Sequence, residues 1–109
     1  MNSRNQLAVG KGALGQSVYR IEVSPAADRD LVKLKGRIRM QDFKRLRGAV
    51  RSLAENPRPR GVRKIRGTEK SYRIRVGSYR VVYDVYDSHN LVLILQVARR
   101  SETTYRQLP

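Results

Sequence analysis

Apolar positions along this chain change period several times, and the changes mark the elements. Val18-Tyr19-Arg20-Ile21-Glu22-Val23 alternates, which predicts a first strand. Ser24-Pro25 then predicts a helix start: Ser as N-cap, Pro in the first turn, and Asp28 and Asp30 near the positive end of the dipole. Ala27, Leu31 and Leu34 form its apolar stripe, and Lys35-Gly36 ends it. A second helix is predicted from about Ile38 to Glu55. Phe43, Leu46, Val50 and Leu53 recur there at helical spacing, with Met40 and Ala49 filling in. Its other face carries Arg39, Lys44, Arg45, Arg47 and Arg51, as a solvated helix face would. Asn56-Pro57-Arg58-Pro59 stops it, because a residue before proline avoids the α region.

The remainder reads as strands. Lys64-Ile65-Arg66-Gly67 predicts a short one. Two alternating runs then flank Gly77-Ser78, and a two-residue connection that begins with Gly suits a type II′ hairpin turn. That turn sets a register: Val76 faces Tyr79, Arg75 faces Arg80, Ile74 faces Val81, Arg73 faces Val82 and Tyr72 faces Tyr83. Alternation divides the hairpin into a core face (Tyr72, Ile74, Val76, Tyr79, Val81, Tyr83, Val85) and a cationic face (Arg73, Arg75, Arg80). Asp87-Ser88-His89-Asn90 is a further turn. Leu91 to Val97 is a nearly continuous apolar run, which predicts a central strand buried on both sides. The order is β-α-α-β-β-β-β. The predicted fold is α+β, with two N-terminal helices packed on one face of a mostly antiparallel twisted sheet. Residues 18–109 read as a single domain. Residues 1–17, dotted with Gly10, Gly12 and Gly15, read as a flexible tail without the apolar segment of a signal peptide.

Charge changes this picture from a fold to a partner. The 109 residues hold 24 Lys+Arg against 9 Asp+Glu, a formal net charge of +15, far beyond what solubility requires. Such an excess implies a polyanionic partner. It is densest from Arg58 to Arg80, where nine cations face one acid, Glu69. Arg75 opposite Arg80 costs strand-pairing energy, so the concentrated charge has either a binding purpose or the character of a solvated outer face. With no cysteine and only His89, neither a disulfide scaffold nor a Cys- or His-rich metal site is expected. No apolar run approaches the roughly 20 residues of a membrane span, and neither helix pairs its basic face with exposed aromatics, so no membrane partner is expected.

Several stretches together resemble the RelE/ParE superfamily of type II toxins. They are Tyr19-Arg20-Ile21-Glu22-Val23 with Ala26 to Leu34, Lys64-Ile65-Arg66-Gly67, the hairpin Tyr72 to Tyr83, Val97-Ala98-Arg99-Arg100, and Tyr105-Arg106. The resemblance spans about Val18 to Leu108. It implies a small cytoplasmic α+β toxin, neutralised by a RelB-like antitoxin that wraps it. The RelE branch cuts mRNA in the ribosomal A site by 2′-hydroxyl attack, without metal or small-molecule cofactor. The ParE branch instead poisons DNA gyrase.

Carried over residue by residue, the RelE site falls on Arg73 and Arg75 before the turn, Arg80 in the Tyr-Arg pair, Arg100 after the last strand (with Arg99 as fallback), and Tyr105. Lys64, Arg66, Arg99, Arg45 and Arg51 are the expected further RNA-binding cations. RelE has lysines where this chain has Arg73 and Arg75, and arginine effectively cannot lose its proton to act as a base. Arg73 and Arg80 therefore suit the scissile phosphate and Arg75 a neighbouring phosphate or ribosomal RNA backbone; Arg100 suits the transition state or, weakly, protonation of the leaving group, and Tyr105 a base stack or the 2′-hydroxyl. The other readings are a gyrase inhibitor and a basic nucleic-acid-binding relic that binds without cutting.

Overall fold

The computed structural model describes residues 18–99. Along the chain these form β1 (Arg20–Val23), α1 (Pro25–Lys35), α2 (Met40–Ser52), β2 (Arg63–Lys64), β3 (Ser71–Val76), β4 (Tyr79–Tyr86), a 3-10 turn (Asp87–His89) and β5 (Leu91–Arg99). The strands make one sheet in the order β1-β5-β4-β3-β2. β1 runs parallel to β5, and the other pairs are antiparallel. Ala27 of α1, Leu46 of α2 and Leu53 just beyond it pack in one core with Ile74, Val76, Val81, Tyr83, Val85, Val92 and Ile94. The predicted α+β layering is what the chain adopts.

Local chemistry explains the element ends. The Ala27 N–H donates to Ser24 Oγ at 3.1 Å, and Pro25 opens α1 where its missing N–H costs nothing. The N–H groups of Arg37 and Ile38 both donate back to Leu34 O, at 2.8 and 3.0 Å. They close α1, so α2 begins at Met40 and not at Ile38. At its other end, Leu53, Ala54 and Glu55 bond three residues back, to Val50, Arg51 and Ser52. This tightening ends the α-helix before Glu55. Met40 does not fill the core; it is 67% exposed. The short strand also differs from expectation. It covers Arg63–Lys64 only, because Thr68 folds back on Ile65 O through its N–H and its hydroxyl.

β5 is not the central strand and is not equally buried on both sides. It lies between β1 and β4, and β4 is the middle strand. The apolar run has another cause, a bulge. Val82 pairs with Gln96 but Tyr83 with Ile94, so Leu95 is an extra residue. The slip lets Ile94 and Val97, three positions apart, both face the core. Contacts from α1 and its cap hold the bulge. The Ser24 N–H donates to Ile94 O at 2.9 Å, and the Val97 N–H donates to Asp30 Oδ2 at 2.9 Å. Asp30→Ala is expected to cost about 1–2 kcal/mol in urea denaturation, because the Val97 N–H loses a charged acceptor in a part-buried setting.

A polar cluster closes the opposite end of the sheet. Tyr19 Oη donates to Asp87 Oδ1 at 2.6 Å, Arg58 Nη2 to Asp87 Oδ2 at 2.7 Å and Arg58 Nε to Tyr72 Oη at 3.0 Å. The Arg58 and Tyr19 hydrogen bonds hold the Asp87 carboxyl below its ordinary range. A depressed carboxyl stabilises the fold above its unfolded pKa, and that stabilisation is lost as pH falls through the folded value. Asp87 is 58% exposed, so solvent screens the effect. Asp87→Asn is expected to lower stability at pH 7 by about 1 kcal/mol or less and to flatten the acid limb below about pH 4. Urea titrations at pH 7 and pH 3 measure both.

Candidate nucleic-acid interface

The Gly77-Ser78 turn positions the site. Gly77 has φ +59 while Ser78 is not in the positive region, which is the type II′ pattern. Every hairpin pair expected from that turn is present, including Arg75 opposite Arg80 and Arg73 opposite Val82. Residues paired across strands share a face, so Arg73, Arg75 and Arg80 lie together on the sheet side away from the helices. Their settings differ: Arg75 is exposed, Arg73 is half-buried, and Arg80, on the middle strand, is 5% exposed. A guanidinium that deep keeps a stronger field than one in bulk water.

The same register adds members not expected from the sequence. Arg63 pairs with Arg73 and joins the cationic face, whereas Lys64 pairs with Tyr72. Asp84, 8% exposed, is on this face too. It is four residues from Arg80 along β4, about 13 Å on strand geometry. The Ser71 hydroxyl donates to its Oδ1 and Tyr86 Oη to its Oδ2 at 3.2 Å. The face thus has a guanidinium end and a carboxylate end. Parity along β4 already assigns Asp84 to the face of Arg80. Arg63 had no comparable signal, since a two-residue strand has no period.

The other expected residues are distributed as follows. Lys64 and Arg66 line a cleft of about 510 Å³ together with Arg63 and Arg73. Arg45 comes from α2 to the hairpin turn, its Nη1 3.4 Å from where a Gly77 Cβ would stand. The Leu95 bulge puts Arg99 opposite Tyr79, on the helix side of the sheet, while Ala98 takes the place opposite Arg80. Arg51 stands exposed on α2, apart from that cleft and the turn. His89 is exposed in the 3-10 turn, its Nδ1 3.1 Å from Ser88 Oγ. Arg100 and Tyr105 lie outside the described residues, as do residues 1–17. Among the described residues, no group of three or more His, Cys, Asp or Glu could hold a metal ion, and no helix is long and apolar enough to cross a membrane.

Gly77→Ala is expected to destabilise the hairpin by about 1 kcal/mol, since a residue with a Cβ is strained at a φ of +59. A thermal melt reads it.

The chain is similar in sequence and in fold to known toxins. The model of the ParE toxin of type II toxin-antitoxin systems matches residues 21–104. A toxin RelE of Mycobacterium tuberculosis is 34% identical over 91 residues, 84% of this chain and 90% of the relative. The archaeal RelE–RelB complex of Pyrococcus horikoshii contains a chain that superposes with a TM-score of 0.65 at 27% identity, covering 77% of this chain and 97% of that one. The isolated RelE toxin of E. coli shares the fold at a TM-score of 0.60 and 23% identity, over 82% of this chain and 93% of that one. With a family model spanning most of the described fold and a RelE relative aligned over nearly its whole length, the chain belongs to the RelE/ParE superfamily and is a type II toxin of the RelE kind.

Proposed function

We propose that this toxin is a metal-independent endoribonuclease that cuts mRNA in the ribosomal A site, and that a RelB-like antitoxin holds it inactive in the cytoplasm. The observation that carries the reading is the grouping of Arg73, Arg75 and Arg80 on one sheet face, with Arg80 seated on the middle strand. The similarity to a toxin RelE supports the activity, and the Pyrococcus RelE–RelB complex supports the antitoxin.

The chemistry asks little of the protein beyond charge and position. The 2′-oxygen attacks the adjacent phosphorus and the bond to the 5′-oxygen breaks. A 2′,3′-cyclic phosphate and a 5′-hydroxyl result, with a proton passing from the first oxygen to the second. Guanidinium groups bind phosphate oxygens bidentately and stay charged, so Arg73 and Arg80 hold the scissile phosphate and stabilise the phosphorane, while Arg75 holds a neighbouring phosphate. They take no part in moving the proton. In this reading Arg100 adds charge at the transition state and Tyr105 stacks on a base.

A second reading is gyrase inhibition, favoured by the match to the ParE family model. One experiment separates the two. The toxin is expressed briefly in bacteria, mRNA 5′ ends are mapped and DNA breaks are scored. New mRNA ends without DNA breaks are expected. DNA breaks with intact mRNA would select the gyrase reading, and neither signal would leave a binding module.

A further inference from the structure

The cationic surface continues past the sheet face. β2 pairs only with Tyr72 and Arg73, so among the described residues no strand borders the Ile74–Val76 half of β3 on that side. Clefts adjoin in series around that half. The first, of about 510 Å³, has Arg63, Lys64, Arg66 and Arg73. The second, of about 570 Å³, has Arg45, Arg60 and Arg75 and shares Gly61 with the first. The third, of about 310 Å³, lies at the hairpin turn among Arg37, Arg39, Arg45 and Arg99, and shares Arg45 and Gly77 with the second. Among the described residues, ten cations thus line the three clefts, with Asp42 as the one carboxylate beside them.

Gathering so many like charges along one concave path works against the compact state. The arrangement matches a ligand whose negative charge repeats along its length. A single phosphate needs one cluster, not three in series. An acidic peptide would also seek apolar seats for its side chains. The first and third clefts offer few, since charged and polar side chains make up most of their lining.

We propose that the three clefts form one track for RNA backbone. The track leads from Arg73 on the outer sheet face, across the edge of β3 and round the Gly77-Ser78 turn, to Arg37 and Arg39 at the α1–α2 connection. It rests on the RNA reading for its starting point at Arg73. The occupant is a phosphodiester strand, either the mRNA itself or ribosomal RNA.

The test uses the full chain and two probes: a short single-stranded 2′-O-methyl RNA, which cannot be cut because its nucleophile is blocked, and ribosomes free of mRNA. The double variant R37E/R39E is compared with wild type across a salt series, and circular dichroism confirms its fold. Counterion release gives a slope of about −0.7 per phosphate contact on single strands, so losing two contacts makes the log–log slope shallower by about 1.4 and weakens binding roughly tenfold at 0.15 M salt. Arg20→Ala, on β1 at the opposite edge of the sheet, is expected to leave affinity and slope unchanged. A deficit on the free RNA identifies the occupant as mRNA, and a deficit on ribosomes alone identifies it as ribosomal RNA; either supports the track. Unchanged affinity and slope with both probes overturns it. Cleavage is read separately, so a protein that cuts no RNA yet shows this deficit retains the track and loses only the nuclease reading.

Discussion

Arg80→Ala is expected to slow mRNA cleavage by about a hundredfold or more, equivalent to the loss of on the order of 3 kcal/mol of transition-state stabilisation. Growth arrest on expression should disappear with it. Arg80 carries this weight through its position. It is the one member of the trio on the middle strand, and at 5% exposure its charge is less screened by water than that of the exposed Arg75. Arg75→Ala should therefore have the smaller effect. Arg80→Lys separates charge from shape: the ammonium keeps the charge and loses the two-pronged contact, so an intermediate rate is expected. Because Arg80 is buried, each variant needs a thermal melt beside the cleavage assay. A folded Arg80→Ala protein that still cuts at the wild-type rate would remove Arg80 from the site.

Different parts of this fold were legible to different degrees, for physical reasons. The hairpin was readable to the residue because Gly77-Ser78 leaves one register open, and that register also groups the three arginines. α1 was readable because both its ends are chemical signals, Ser24-Pro25 and Gly36. The Leu95 bulge was not. It depends on Ser24 and Asp30, more than sixty residues upstream, meeting β5. An apolar run that contains a bulge looks the same as one buried on both sides. The helix pattern of α2 showed which side is polar but not which end meets the hairpin, so Arg45 at the turn and Arg51 away from it were indistinguishable. Arg37, Arg39 and Arg60 join the basic clefts through connections between elements, where no period operates.

Tyr83→Ala is expected to cost about 3–5 kcal/mol, a large part of what a domain of this size has. Tyr83 is fully buried in the middle strand and stacks on Tyr72 at a centroid distance of 6.0 Å. Its hydroxyl donates to Pro57 O at 2.7 Å and so fastens the start of the loop that carries Arg58 and Arg60. Tyr83→Phe keeps the ring and removes that bond, at an expected cost of about 1–2 kcal/mol, because the Pro57 carbonyl loses its donor. The two variants divide packing from anchoring in the same urea titration. The phenol adds a pH signature. Burial pushes its pKa well above the usual tyrosine value. A raised pKa stabilises the fold below the unfolded value, and that stabilisation is lost as pH rises toward the folded one. Wild type should therefore lose stability above about pH 10, and Tyr83→Phe should lose less. Tyr19, whose pKa is raised by its hydrogen bond to Asp87, supplies a remainder that Tyr83→Phe leaves in place. If wild type and Tyr83→Phe declined equally above pH 10, the Tyr83 hydroxyl would not be the buried group that anchors the Pro57 loop.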